Sequence, residues 1–274
     1  MKLFKIFDSG FFNQAVLFLI LVHIFSSCTQ KGSVDVINIK LNSIEDINNL
    51  DSNLVKPYDY HPILSLGELS IQEKKEKFIS LVLPSILIAK ENIKHNQIKF
   101  RDLIKKDTTQ LSYKNKKYIY NLLKKYRAKT FDELDLKLNT HPNSIILAQA
   151  IIESGWGSSR FFTEAYNIFG VWSFSNKEPR IKASFSRNGK NIYLKKYSSL
   201  YESIEDYFLT IARGPYMDFR KERAQNNNTN ALLPYLVNYS ELGDKYVMNL
   251  KSLIRKNHLK KYDNYRIDSE YLNH

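Results

Sequence analysis

The stretch Ala148-Gln149-Ala150-Ile151-Ile152-Glu153-Ser154-Gly155-Trp156-Gly157 decides how this chain is read. Upstream, Pro142 to Ile152 holds good helix formers and apolar residues, and Pro142 suits a first helical turn because its missing N–H would be unpaired there anyway. Gly155 and Gly157 are where such a helix stops. Glu153 therefore falls in the last turn, at the negative end of the helix dipole, which disfavours its ionised form. Apolar neighbours push the same way through desolvation. A carboxyl group kept neutral near neutral pH is what a general acid requires. On helix position alone the same side chain reads more readily as a surface glutamate reaching solvent.

The residues beyond Glu153 shift that balance. Ser154-Gly-Trp-Gly-Ser-Ser-Arg-Phe-Phe162, then Ala165-Tyr-Asn-Ile-Phe-Gly170 and Val171-Trp172, resemble the Bax-like glucosaminidases of glycoside hydrolase family 73, a group that includes flagellar rod-cap hydrolases and many autolysins. The family pattern runs A-Q-[AS]-x-x-E-S-G-W-G-x-S, followed by N-[LIY]-F-G, and Gln149, Glu153, Ser154, Gly155, Trp156, Gly157, Ser159, Asn167, Phe169 and Gly170 match it. Two later segments, Tyr197 to Tyr207 and Tyr239-Ser-Glu-Leu-Gly-Asp-Lys-Tyr246, resemble further blocks of the same family in the same order.

The resemblance implies a lysozyme-like fold, mainly α with a small β-hairpin lobe, and an endo-β-N-acetylglucosaminidase acting on β-1,4 bonds of peptidoglycan. Such a bond breaks through an oxocarbenium-like state, so the departing oxygen needs a proton, and Glu153 is the candidate donor. A second carboxylate would lie roughly 6.5–9.5 Å away in an inverting enzyme and roughly 5 Å away in a retaining one. Between Gly170 and Tyr197 the only acid is Glu178; the hairpin position that is acidic in some relatives is not acidic here, and Tyr193 stands near it. Substrate assistance by the N-acetyl carbonyl is the alternative, with Tyr239 as its hydrogen-bonding partner by resemblance. Trp156, Phe169 and Trp172 are candidate sugar-groove residues, with Glu178 and Tyr193 beside them. Glu202 reads as a helix cap, and Arg160 and Asn167 as braces of the loop after the catalytic helix. A non-catalytic wall-binding protein, a muramidase and a lytic transglycosylase stay open.

Outward from this core, the chain reads as helices at 116–127, 130–138, 199–213, 217–225, 231–237 and 241–257. Thr130-Phe-Asp-Glu133 is a capping-box signature. From Glu68 a helical pattern with Pro84 inside reads as one bent helix or two. Alternating segments around Arg187-Asn-Gly-Lys190 predict the hairpin. The domain is expected over 68–262, with a catalytic core at about 140–257 and a tail at 263–274.

The N-terminus carries Lys2 and Lys5 before the apolar run Ala15–Val22, which is short for a membrane span and reads as an export signal over 1–27. Cys28, the only cysteine, follows it like the modified residue of a loosened bacterial lipobox, giving a membrane-anchored lipoprotein facing the periplasm. An incidental cysteine after an ordinary signal peptide or an uncleaved anchor is the alternative. The polar, aperiodic stretch 28–67 reads as a tether.

Hydrophobic residues at 43% and aromatics at 13% argue for a packed domain rather than disorder. The six histidines are scattered without metal-ligand spacing, and no dinucleotide or phosphate-loop glycine pattern occurs, so no cofactor is expected. A net charge of +13 suits anionic wall polymer or membrane surface; nucleic acid is not expected for an exported chain without an aromatic-interleaved RNA motif.

Overall fold

A computed structural model describes residues 33–273 apart from residue 188. The export segment 1–27 and Cys28 lie outside the described residues.

Helix α4 (Asn143–Ser154) is the axis of the fold. Ile145, Ile146, Leu147, Ala148, Ala150 and Ile151 are all buried, so the helix is apolar nearly all round and has to be enclosed by neighbours. Pro142 is its N-cap, one position ahead of the first turn, and cannot cap through its side chain. Asp263 takes over that task. Its carboxylate accepts the Ser144 backbone N–H at 2.7 Å and the Ser144 hydroxyl at 2.9 Å, placing negative charge at the positive end of the helix dipole. The Asn143 side-chain amide donates to the Tyr262 carbonyl at 2.7 Å, fixing the same end to the short 3-10 turn Leu259–Asn264.

Helix α1 (Ile71–Ile104) is one continuous element that passes through Pro84. Every residue from Phe78 to Ala89 is buried, and this half packs into the main core beside α4. Its C-terminal half carries Phe100 and Leu103 into a second cluster with Ile119, Leu122 and Tyr126 of α2 (Tyr113–Tyr126) and Leu134 of α3 (Phe131–Lys137). A close variant of the expected capping box opens α3: the N-cap Thr130 accepts the Glu133 N–H, and Glu133 accepts the N–H of Lys129, one residue before the cap. After α4 come α5 (Arg160–Ala165), the antiparallel hairpin of β4 (Arg180–Arg187) and β5 (Lys190–Lys195), and α6 (Leu200–Arg213). The chain continues through α7 (Met217–Gln225), α8 (Thr229–Leu232), the 3-10 segment Leu233–Tyr239 and α9 (Asp244–Lys256). The hairpin has a small core of its own, Ala183, Ile192 and Leu194. The architecture is mainly α with a hairpin lobe.

The structure corrects two boundaries. Residues 33–67 are not a tether: Val34, Leu41, Ile47, Val55, Tyr60, Ile63 and Leu66 are buried in the main core. A strand at Ile37–Lys40 pairs in parallel with one at Tyr58–His61, and Leu54–Val55 pairs with Arg266–Ile267 of the supposed tail. Val34 bridges to Leu272, Asp35 N–H donates to the Tyr271 carbonyl, and Asn273 N–H donates to the Ser33 carbonyl. Strands of two and four residues are too short to show a period, so the arm's apolar residues look isolated in sequence although each one is packed. The body runs from residue 33 to residue 273.

Polar groups inside this core are joined into one chain. Gln149 is fully buried in the middle of α4. Its carbonyl oxygen accepts the Tyr207 hydroxyl from α6 at 2.6 Å, and its amide nitrogen donates to the Tyr246 oxygen on α9 at 3.1 Å. Since the Tyr207 proton is spent on Gln149, the His141 Nε2 at 2.7 Å must carry a proton and donate to the Tyr207 oxygen. His141 Nδ1 is left without a partner among the described residues. Burial, together with Arg223 and Lys90 nearby, holds the His141 pKa well below its ordinary value.

This packing has two measurable outcomes. Brief trypsin digestion should leave the chain uncut at Lys40, whose side chain is exposed but whose backbone lies in a paired strand; rapid cleavage there, read by intact mass, would restore the tether. For His141 the unfolded chain takes up a proton below about pH 6.5 and the folded chain does not. Its contribution to stability is therefore full above about 6.5 and is lost as pH falls from there towards the folded pKa. Glu205 and Asp59, whose pKa values burial raises, act in the opposite sense, so the comparison with a variant is the measurement. His141→Gln should show a shallower fall in melting temperature than the wild type between about pH 7 and pH 5.5.

Candidate active site

Glu153 closes the last turn of α4, and the backbone then reverses sharply. Gly155, Trp156 and Gly157 all take left-handed backbone angles, with φ of 59°, 58° and 77°. The Ser154 hydroxyl donates to the Ala150 carbonyl at 2.6 Å and accepts the Gly157 N–H at 3.2 Å, tying the reversal back to the helix. At Gly157 a Cβ would lie 3.1–3.2 Å from Leu66, Phe78 and Phe162, so no side chain fits. The consequence is that the Glu153 side chain leaves the helix end with nothing of its own chain folded over it.

Beside it lies a cavity of about 320 Å³. Its walls are Phe169 and Val171 from the loop before the hairpin, Tyr207 and Thr210 from α6, Tyr216, and Tyr239 with Ser240. Among the described residues Glu153 is the only carboxylate lining it. Glu153 is exposed at the cavity mouth, yet desolvation by the surrounding protein raises its pKa above the ordinary carboxylate value. Among the described residues no hydrogen bond or ion pair reaches its carboxyl oxygens.

Tyr239 faces the same space. Its ring stacks on Tyr246 at 5.5 Å and 13°, and lies 6.3 Å from the rings of both Tyr207 and Tyr216. Burial, the neighbouring tyrosines and Glu153 push its phenol well above the usual range, so it stays a neutral hydroxyl. No protein partner among the described residues uses that hydroxyl. Phe169 stacks flat on Tyr207 at 4.4 Å and 21°, forming one wall.

The structure brings Glu153, Tyr239 and Phe169 together and sends the other candidates elsewhere. Trp156 does not line this cavity. The left-handed reversal turns it back onto α1, where it meets Phe78 edge-on at 5.6 Å beneath the Lys75 ammonium. Glu178 accepts the Ser173 hydroxyl at 2.7 Å and lies in a separate depression with Glu202, Glu205 and Asp206. That depression is bordered by α6 and does not include Glu153. Tyr193 on β5 is covered by the Arg180 guanidinium at 4.1 Å. Trp172 is half exposed on the hairpin lobe next to the open ring of Phe174, 6.1 Å away, outside the cavity lining.

Three further side chains brace the frame around the cavity. Glu202 accepts the Ser198 N–H while Ser199 accepts the Glu202 N–H, a reciprocal cap on α6. Asn167 donates to the carbonyls of Val171 and Lys195 and accepts the Val171 N–H, and Arg160 donates to the Lys182 carbonyl, so both tie the loop to the hairpin. Sequence reasoning missed Tyr216, Val171, Thr210 and Ser240 as lining residues. Val171 and Ser240 each adjoin a nominated residue, and Tyr207 with Thr210 share one face of α6 at a spacing of three. Tyr216, after Gly214-Pro215, carries no signal of its own.

Comparison with known proteins adds to this geometry. The family model described as mannosyl-glycoprotein endo-beta-N-acetylglucosaminidase matches residues 128–259. The exo-glucosaminidase LytG of Bacillus subtilis is 29% identical over 129 residues, covering 44% of this chain and 45% of LytG. The peptidoglycan hydrolase FlgJ of Salmonella typhimurium is 35% identical over 85 residues, 27% of each chain. Protein bax of Escherichia coli is 28% identical over 123 residues, 42% of this chain and 43% of that one. The chain thus spans less than half the length of each of these relatives. The matched region begins just before α3 and ends at the first residue of the turn after α9, enclosing Glu153, Phe169, Tyr239 and the hairpin. Residues 128–259 thus carry a domain that matches the glucosaminidase family model.

Proposed function

We propose that this protein is a peptidoglycan hydrolase, an endo-β-N-acetylglucosaminidase that cleaves β-1,4 bonds of the glycan strand with Glu153 as general acid. The observation that carries the reading is a single desolvated carboxyl group, free of protein partners, at the mouth of an aromatic-walled cavity. The match to the glucosaminidase family model and the likeness to a peptidoglycan hydrolase support the same substrate class.

In this scheme the neutral Glu153 gives its proton to the departing sugar oxygen as the bond lengthens and positive charge grows on the ring. Among the described residues no second carboxylate lines the cavity, which favours the N-acetyl carbonyl of the substrate as the internal nucleophile. Tyr239 supplies a neutral hydroxyl that donates to the N-acetyl group or orients the attacking water. Stacked Phe169 and Tyr207 give an apolar wall against which a sugar face packs. The other cleft candidates, Trp172 on the lobe and the Glu178 depression, would contact only more distant sugars of a long strand.

An envelope location fits this substrate. Export through the 1–27 segment with lipidation of Cys28 would hold the enzyme at a membrane facing the wall. Labelling cells with an alkynyl fatty acid should mark the wild type and not Cys28→Ala; equal labelling removes the anchor.

The function is tested by digesting purified sacculi and identifying the new reducing ends. Reducing N-acetylglucosamine is expected. Reducing N-acetylmuramic acid would indicate a muramidase, an anhydro-muramic end a transglycosylase, and no release by folded protein a wall binder. Glu153→Gln should lower turnover by about 100-fold or more with little change in melting temperature. Tyr239→Phe keeps the stack on Tyr246 and should lower turnover by about tenfold with a smaller change in KM. Because desolvation raises the Glu153 pKa, activity should persist above the ordinary carboxylate range and fall on the alkaline side as that proton is lost. A pH–rate profile without an alkaline limb contradicts the acid role.

A further inference from the structure

Helix α9 has two unlike faces. Tyr246, Leu250 and Ile254 turn into the core, whereas Met248, Lys251, Ser252 and Arg255 follow one another at helical spacing on the outer side. Together with His258, Lys260 and Lys261 from the next turn they border a groove of about 910 Å³, with Leu233 and Ile254 at its base. It shares no lining residue with the cavity beside Glu153.

The groove holds four permanent cations, Lys251, Arg255, Lys260 and Lys261, and no carboxylate. Among the described residues none of the four is paired with an acid; Lys261 only lies over the neighbouring Tyr262 ring at 4.8 Å. Met248, at 70% exposure, stands open to solvent above the apolar base. Clustered like charges repel one another, and apolar surface exposed in the same concavity is unfavourable in water. One class of ligand relieves both: an anionic head joined to an apolar tail.

The geometry points to a binding site for an anionic phospholipid, its phosphate held by Lys251, Arg255 and Lys261 and its acyl chain lying along Met248, Leu233 and Ile254. A purely hydrophilic polyanion would satisfy the cations and leave Met248 in water. A zwitterionic lipid would bring its own cation against the basic rim. The volume lies in the range of small-molecule pockets, and a chain charge of +13 draws the molecule to an anionic surface. The site therefore places the domain body itself against a membrane.

Isothermal titration calorimetry on the full 274-residue chain tests this with four probes: monodisperse dihexanoyl-phosphatidylglycerol, dihexanoyl-phosphatidylcholine, inorganic phosphate and long-chain polyphosphate. Phosphatidylglycerol should bind at least about tenfold more tightly than phosphatidylcholine or phosphate. The triple variant K251Q/R255Q/K261Q should weaken it by about tenfold or more at an unchanged melting temperature. Met248→Ser should weaken phosphatidylglycerol and leave polyphosphate binding unchanged. Any lipid uptake by the apolar run near the N-terminus is common to all variants and cancels. Lys251→Gln alone, at an exposed position, carries the charge test if the triple variant unfolds. Equal affinity for the two lipids, an unchanged affinity in the folded charge variants, or polyphosphate bound more tightly than lipid and indifferent to Met248 overturns the proposal.

Discussion

Gln149 lies at the centre of α4 with its carbonyl held by Tyr207 of α6 and its amide nitrogen held by the oxygen of Tyr246 on α9. A primary amide buried without partners is costly, so these three helices have to meet in one rotation and one register. Apolar contacts alone would let α4 turn about its axis at little cost, because nearly every face of it is greasy. The amide removes that freedom. Glu153 is four residues further on, one turn along nearly the same side, so the bonds that satisfy Gln149 also set where the carboxyl group emerges.

The same constraint explains how the cavity is made. Tyr207 gives its proton to Gln149 and offers its ring to Phe169, so one side chain joins the core network to the cavity wall. Tyr246 receives Gln149 from one side and carries the stacked Tyr239 ring on its face. Glu153 thus sits with Tyr216 and Tyr239 in a largely aromatic surround. Desolvation without a nearby cation shifts such a carboxyl towards its protonated form; a salt bridge there would have done the opposite. The other acids close to the hairpin are spent on structure: Asp206 binds Lys195 and Tyr197, Glu178 binds Ser173, and Glu202 caps α6.

Much of this was legible in the sequence because it rests on local rules. Helix α4 announces itself by composition and stops at glycines, the hairpin by its alternating flanks, and α3 and α6 by Ser or Thr followed three residues on by Glu. What was not legible depends on direction in space. Trp156 sits in the most telling motif of the chain, yet a left-handed backbone angle sends it to α1. Glu178 is near the right place in sequence but is bonded to Ser173 and lies in a depression beside α6. The arm at 33–67 escaped because pairing between distant two- and four-residue strands leaves no periodic trace, and its apolar residues were too sparse to stand out from a polar background.

The zipper between Ser33–Asp35 and Tyr271–Asn273 brings the entrance and the exit of the body to the same spot. A domain whose ends coincide behaves topologically as a closed ring. It can be spliced as one piece into a surface loop of a host polypeptide, or re-opened elsewhere by circular permutation, without separating any of its helices. Tension applied between the two ends would be borne first by this short strip of backbone bonds, before the helical core is loaded.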